Sequence, residues 1–354
     1  MTKTEFLIVG QGISGTLLSW YLQRAGRSLL VIDNNDSHSS SRVAAGIINP
    51  ITGRRVVRTW MIETLMPFAL EAYREMGAHY SIDTVSEKKI IDFFPTAQMK
   101  LAFEERLAKG EDYLSLPQDE NDFYPVFNYE LGYGVINESY IVHLKEVLTA
   151  QRKYLKSIDA LLEEDFDIKS LSVTSSNVQY KDISAEKIIF CDGIYSSTNP
   201  FFRNLPFALN KGEALIIECD TIPQKNIYKK AVTLAPAGRS YFWAGSSHEW
   251  EFIDNQPSEK FFDHTNSLLR KWLKHPFKVV ERLASIRPAT VERRPFVGIH
   301  PGYPNVGILN GMGTKGCSLA PYFAKQLSDH LTKNTAIFPE ADVNRFSRIL
   351  QSSK

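Results

Sequence analysis

The sequence predicts an α/β fold in two lobes, one built on a doubly wound parallel sheet and the other an α+β lobe with a largely antiparallel sheet. Three observations predict it. Residues 6–33 read as strand, glycine turn, helix and strand; residues 306–331 return to strand, glycine loop and helix; and residues 209–282 between them read as alternating short strands. At 354 residues, with 43% hydrophobic and 23% charged side chains, the chain is long enough for two cores and ordinary in composition.

The first unit opens on the apolar run Phe6-Leu7-Ile8-Val9, which ends at Gly10-Gln11-Gly12-Ile13-Ser14-Gly15, a G-x-G-x-x-G pattern. Leu18, Tyr21, Leu22 and Ala25 then recur at helical spacing, Gly26 supplies a stop, and Leu29 to Ile32 lead to Asp33. Gly10 permits the tight turn, Gly12 lets backbone approach a pyrophosphate, and Gly15 lets the helix pack closely on the sheet. Unpaired N–H groups at the helix start, Ile13 and Ser14 among them, favour negative charge there. Asp33 would accept ribose hydroxyls. Any turn-rich loop can supply three glycines; flanking strands, a helix and an acid about 20 residues on make this one a dinucleotide grip.

Asn34 opens a polar loop to Ser41. Arg42-Val43-Ala44-Ala45-Gly46-Ile47-Ile48-Asn49-Pro50 follows, with small residues suited to close approach of backbone to a ligand. A helix is expected from about Glu63 to Met76, mixed material to Gly134, and a returning helix over Asn137 to Tyr154 with Ile141, Leu144 and Leu148 on one face. Lys187 to Phe190 reads as a buried strand running into Cys191-Asp192-Gly193. Ala214 to Glu218 and Tyr241 to Ala244 read as strands, with a helix opening at Ser258. The chain closes with Val306 to Leu309, the loop Asn310-Gly311-Met312-Gly313-Thr314-Lys315-Gly316, and a helix expected to be capped by Ser318 with Pro321 in its first turn.

Composition excludes several partners. With 41 basic and 40 acidic residues there is no electrostatic footprint for nucleic acid or an anionic membrane. Cys191, Cys219 and Cys317 are odd in number and far apart, against a disulfide framework and against a C-x-x-C metal site. The eight histidines show no metal spacing, so no metal is expected; His248 alone stands as a possible site residue. The first apolar run is too short for a signal peptide and no later run reaches the ~20 residues of a membrane span. A cytoplasmic setting and a small-molecule partner are the expectations. No G-x-S-x-G elbow supports acyl transfer.

A second glycine loop before a helix suits a flavin, which extends far enough from its adenosine to need another backbone cradle near N1 and O2. This favours FAD over NAD. At this point the segments together resemble the superfamily of D-amino acid oxidase, glycine oxidase and sarcosine oxidase. The resemblance covers nearly the whole chain. Ser40 to Ile48 resembles the loop along the isoalloxazine ring, Tyr133 to Asn137 the return to the flavin domain, and Ile189 to Gly193 the strand whose glycine lies near FAD. Lys211-Gly212-Glu213 resembles the start of the substrate-domain sheet, Ile286-Arg287-Pro288-Ala289-Thr290 with Arg294 to Gly298 the R-P-x-T and x-P-x-x-G pair, and Gly311 to Pro321 the terminal signature.

The resemblance implies a Rossmann-like FAD-binding domain from 1–60, 135–208 and 285–354, and a substrate-binding domain from 61–134 and 209–284. It implies non-covalent FAD, held by Gly10, Gly12, Ile13, Ser14, Gly15, Asp33, Asn34, Arg42, Ala44, Ala45, Gly46, Ile47, Gly193 and the loop Gly311, Met312, Gly313, Thr314, Lys315 and Gly316. Cys317, after that loop, reads as a buried helix residue rather than a covalent flavin link. Arg287 matches the substrate-carboxylate arginine of glycine and D-amino acid oxidases. Arg55 and Arg58 match an R-x-x-R segment of sarcosine oxidases, Lys315 the flavin O2 region, and Tyr241 a sheet tyrosine near the flavin. Trp243 or a neighbour stands near the oxygen-activating lysine of sarcosine oxidases, which leaves the electron acceptor open. The implied reaction is FAD-dependent oxidation of a small amino or N-alkyl amino acid. Rival readings are an FAD-dependent 2-hydroxy acid dehydrogenase, a flavin-binding module in tRNA modification, and a nicotinamide enzyme using only the first grip.

Overall fold

A computed structural model of the chain describes residues 2–119 and 121–351. In chain order the elements that position the site are β1 (Thr2–Val9), α1 (Ile13–Arg24), β2 (Leu29–Ile32), β3 (Ile47–Ile48), α2 (Ile62–Tyr80), β4 (Val85–Phe93), α3 (Ala97–Ala108), β5 (Tyr133–Val142), α4 (Leu144–Ser157), β6 (Leu161–Leu162), β7 (Ile183–Phe190) and β8 (Asn210–Glu218). They continue with β9 (Ile227–Lys229), β10 (Thr233–Pro236), β11 (Tyr241–Gly245), α5 (Glu259–Trp272), β12 (Lys278–Arg287), β13 (Phe296–His300), β14 (Tyr303–Asn310) and α6 (Gly316–Lys333).

The first sheet runs β6-β2-β1-β7-β14 with every pair parallel, and β13 adds antiparallel to β14. Leu7 sits between Leu30 and Ile188, and Ile188 next to Val306. Helices cover a parallel sheet on its faces, so its strands are apolar throughout rather than alternating. The second sheet runs β12-β8-β11-β10-β9-β4-β5-β3, antiparallel except between β9 and β4.

Period-two alternation gives the second sheet two different faces. Ile91, Tyr228, Leu234 and Phe242 point outward into a core with Leu269 and Trp272 of α5. Ile90, Ile227, Ala235 and Trp243 point inward, into the core that holds Ile13 and Leu17 of α1 and Met312, Cys317 and Leu319 of the closing segment. One apolar core therefore joins the lobes, and whatever lies between them faces that inner surface.

Three expectations differ from the structure. Residues from Asn137 to Val142 are strand, not helix: β5 pairs with β4 along its length and with β3 at Tyr140 and Ile141, and the helix starts only at Leu144. β5 thus lies wholly in the second sheet, past the boundary expected at 135. The closing helix begins at Gly316 rather than at a Ser318 cap, and Ser318 Oγ instead donates back to the Lys315 carbonyl at 3.1 Å. Pro321 consequently falls inside the helix, where its missing N–H leaves the Cys317 carbonyl without a helical partner. Tyr73 of α2 fills that vacancy, its hydroxyl donating to Cys317 O at 2.9 Å. The Ser258 cap is as expected, its Oγ accepting from Phe261 N at 3.2 Å. Among the described residues no helix is long and apolar enough to cross a membrane.

Candidate active site

The first glycine turn has the geometry that its pattern requires. Gly10 holds φ +93°, and a Cβ on Gly15 would lie 1.9 Å from the Gly10 carbonyl oxygen, so no side chain fits where α1 meets the turn. No acid occupies the first turn of α1 and no side chain caps it. Ile13 N–H is taken by Ser41 Oγ at 2.9 Å, but the N–H groups of Ser14 and Gly15 make no hydrogen bond among the described residues. They form an open seat for an anion at the positive end of a helix.

Asp33 follows β2, and its lone pairs can be counted. Oδ1 accepts from Asn35 N at 2.9 Å and from Arg152 Nη1 at 2.6 Å; Oδ2 accepts from Gln11 N at 2.7 Å. One lone pair of Oδ2 is left, enough for one ribose hydroxyl. Arg152 of α4, nearly buried, also donates to Gln11 Oε1 at 3.1 Å and to Glu163 Oε1 at 2.7 Å. Asn34 faces away, donating to Asp165 at 2.7 Å. Arg42 is half-buried, its pKa drawn down by burial and by repulsion from Arg152, and up by Asp33. Sequence reasoning missed Arg152, because a charged residue on an amphipathic helix reads as solvent-facing.

The two ends of the chain meet here. A Cβ on Gly316 would lie 3.5 Å from Ile13 Cγ2, placing the closing loop against the start of α1. Asn310 ties the closing loop to β7's end: its Nδ2 donates to Gly193 O and to Ser196 Oγ, both at 2.8 Å, while Gly311 N donates to its Oδ1 at 2.8 Å. Asp192 beside it is half-buried, and desolvation pushes its carboxyl up to about 6. Gly313 N donates to Pro288 O at 3.3 Å, so the loop also abuts the segment after Arg287. Met312 is buried, Thr314 exposed and Gly313 partly exposed. Lys315 projects from this loop with no hydrogen bond or ion pair for its ammonium among the described residues, and its pKa falls to about 8, chiefly through burial and then through the charge of Lys229. From the other side, Trp243 Nε1 of β11 donates to Val43 O at 3.0 Å. That bond pins the second sheet onto the loop of Arg42 to Ile47, where Ala44 is exposed, Ala45 partly so, and Gly46 O accepts from Val142 N at 2.8 Å.

Arg287 ends β12. Its Nη1 donates to Asn210 Oδ1 at 2.7 Å and to Ser247 O at 3.1 Å, and no carboxylate pairs with it among the described residues. Burial draws its pKa down. Gly212 on the neighbouring strand makes room: a Cβ there would lie 1.8 Å from Arg287 Nη2. His248 lies beside it, its pKa lowered by burial first and by Arg287 second. Asn210 and Ser247 carried no sequence signal, and Gly212 only as part of Lys211-Gly212-Glu213, since their contacts with Arg287 depend on β8 and β12 being neighbours.

The other proposed arginines and the tyrosine are elsewhere. Arg58 is exposed and already neutralised, its Nε donating to Glu111 at 2.9 Å and its Nη1 to Glu63 at 2.7 Å. Arg55 is exposed, and its carbonyl accepts from Arg106 Nε at 3.4 Å. Tyr241 pairs with Glu218, at the opposite end of β8 from Asn210 and Arg287, and is exposed. The structure does not bring these three to Arg287: acids close by claim Arg58, and strand direction carries Tyr241 away.

Two sheets joined by one core, with glycine turns from early and late in the chain brought together, have counterparts. The sequence pattern of the DAO family, FAD dependent oxidoreductase, matches residues 5–330. The chain belongs to that family. It is an FAD-dependent oxidoreductase, and the open helix start, the free lone pair of Asp33 and the closing glycine loop fit that cofactor. Glycine oxidase of Pseudomonas aeruginosa is 23% identical over 166 residues, a stretch that spans 45% of each chain, so less than half of that relative's length is matched. Among solved structures, glycine oxidase from Geobacillus kaustophilus superposes with a TM-score of 0.79 at 15% identity, covering 95% of this chain and 96% of that one. Iminodiacetate oxidase from Chelativorans sp. BNC1 gives 0.78 at 16%, covering 95% and 97%. The superpositions show that the chain shares its fold with these oxidases over nearly its whole length.

Proposed function

We propose that the enzyme oxidises a small amine-bearing carboxylate, an amino acid or N-alkyl glycine, at a carbon bonded to its nitrogen, the resulting imine then hydrolysing in water. One observation carries the reading: Arg287 is a half-buried guanidinium whose protein partners are all neutral, an amide and a backbone carbonyl. A cation held without a counter-ion is stabilised by a ligand carboxylate, which a guanidinium meets with two parallel hydrogen bonds. Bound FAD would supply the two-electron acceptor for this oxidation. The protein's own part is placement, because fixing the carboxylate fixes the donor carbon.

Ser14 and Gly15 N–H groups would seat the pyrophosphate, Asp33 one ribose hydroxyl, and Lys315 the anionic edge of the reduced ring. A non-covalent flavin accords with Cys317, whose thiol burial pushes up to about 12, which disfavours the thiolate and a covalent link through that residue. Three buried free cysteines suit the reducing cytoplasm. The test is anaerobic mixing of the yellow enzyme with amino acids of both hands, N-methyl glycines and 2-hydroxy acids. Bleaching of the flavin by amines and not by hydroxy acids is expected; no bleaching by any amine refutes the proposal.

A further inference from the structure

Strand pairing sets His248 beside Arg287 on one face of the second sheet. Past Gly245 the chain keeps pairing with β8: Lys211 and Glu249 exchange both backbone hydrogen bonds at 2.9 Å, and Ser247 N donates to Glu213 O at 3.2 Å. Gly212 and His248 therefore stand directly opposite each other between those two pairs, and opposed residues of an antiparallel ladder project to the same side. Leu215 and Ile217 of β8 point into the outer core, and Gly212 falls out of phase with them, so that side is the inner one. The Cβ position of Gly212 is taken by the guanidinium of Arg287, whose Nη2 lies 1.8 Å from it. Opposed Cβ atoms are about 4.5–5.5 Å apart, which puts the His248 Cβ within roughly 7 Å of that nitrogen. A direct contact agrees, since the carbonyl that Arg287 Nη1 reaches at 3.1 Å belongs to the peptide between Ser247 and His248.

The imidazole is accessible and uncharged at neutral pH. His248 is exposed, and the charged group that acts on its ring is Arg287. Lys211, Glu213 and Glu249 leave on the outer face, where Lys211 lies 3.7 Å from Glu213 and 3.5 Å from Asp254. Desolvation first and the Arg287 charge second hold the ring's pKa below its ordinary 6.5, against an upward pull from a hydrogen bond to the Ser246 backbone. A neutral ring that donates one N–H keeps its other nitrogen as a proton acceptor. A carboxylate docked on Arg287 cancels the charge that weakens this acceptor, so binding the substrate also strengthens the base.

An amino acid arrives at neutral pH as an ammonium, which has no lone pair to form the C=N bond of the imine. One proton must leave the nitrogen first. With its carboxylate on Arg287, the substrate holds that nitrogen a single carbon away, next to His248. Resting on the amine-oxidation reading, we propose that His248 is a catalytic base that takes one proton from the substrate's ammonium, leaving a neutral amine with its lone pair and an imidazolium. No bond to carbon changes in this step, and the exposed ring passes the proton on to water.

The experiment measures anaerobic flavin reduction by the amino acid that bleaches the holoenzyme fastest, in the unaltered protein and in His248→Gln, which keeps hydrogen-bonding capacity but takes no proton. The ratio of the two second-order rates is expected to be about 10²-fold at neutral pH, the low end for general-base catalysis. It should shrink towards unity near pH ~10, where an alkyl amine reaches the enzyme already neutral. Taking the ratio cancels Lys315, which titrates in both proteins. A ratio that does not change with pH marks a merely structural role; it overturns the inference and leaves the amine reading standing. No bleaching by any amine overturns both. A second measurement needs no turnover: the NMR titration of the His248 ring, identified as the signal missing from His248→Gln, should move to higher pH in Arg287→Met. A midpoint that Arg287→Met leaves in place overturns the coupling on which the base depends.

Discussion

Replacing Gly212 by alanine should disable Arg287 without touching it. A Cβ at 212 would lie 1.8 Å from Nη2 and 2.1 Å from Cζ of Arg287, whereas ordinary contact begins at 3.4 Å, so the guanidinium must retreat by about 1.6 Å. Gly212 is not among the residues with positive φ, so alanine is compatible with its backbone and the clash is the whole perturbation. The rim of the pocket is stiff, because Asn210, Lys211 and Glu213 all bond the 247–249 segment. A misplacement of 1 Å can cost roughly 10²-fold in rate, and the displaced carboxylate bonds are worth about 1.5–3 kcal/mol each. Gly212→Ala is therefore expected to lower kcat/KM for amine substrates by about 10²-fold. Stopped-flow flavin reduction measures this, with flavin content and melting temperature confirming an intact holoenzyme. Arg287→Met should give a similar loss, and the double variant should lose little more than either alone. Losses that multiply, or an alanine variant with unaltered kinetics, would refute the idea that Gly212 acts through Arg287.

Other expectations follow from the same contacts. Arg152→Met leaves the mostly buried Asp33 carboxylate without its cation, while Glu163 is exposed and keeps Lys156; the loss should be about 3 kcal/mol of stability, at the low end for a broken buried pair, with weaker FAD binding, and urea unfolding and flavin-fluorescence titration read the two effects. Tyr73→Phe leaves the Cys317 carbonyl without a donor, a loss of about 1–3 kcal/mol that Pro321→Ala should partly restore by returning the helical N–H, as seen in melting temperatures of the single and double variants. The Lys315 ammonium titrates near 8 when folded and near its ordinary 10.5 when unfolded. The unfolded chain thus binds more protons between those values, so flavin-free protein should gain stability as pH rises through 8, and Lys315→Met should lose that gain; parallel pH dependences for the two proteins would contradict it.

The conformation of the two glycine turns was legible because it is local. Gly10 to Gly15, the acid at 33 and the late loop at 310–316 each encode their conformation within a few residues, where backbone sterics and helix polarity leave little choice. The segment 137–142 misled for a matching reason: Ile141, Leu144 and Leu148 are spaced for a helix, yet Ile141 belongs to a strand whose pairing partners at 47–48 and 85–93 are remote. Tyr241 and the arginines at 55 and 58 were legible as residue types, but their surroundings were not.

By itself, then, the sequence determined the α/β class, the strand-turn-helix geometry of the first glycine turn and the glycine loop that precedes the closing helix. Tertiary structure alone decided that Arg58 is spent on Glu63 and Glu111, that Arg152 braces Asp33, and that Lys229 meets Asp92 on the inner face of the second sheet. The physical reason is range: turns and helix starts are governed by neighbours in the chain, whereas the charge state and free valence of a side chain depend on whatever distant strand the sheet register sets beside it.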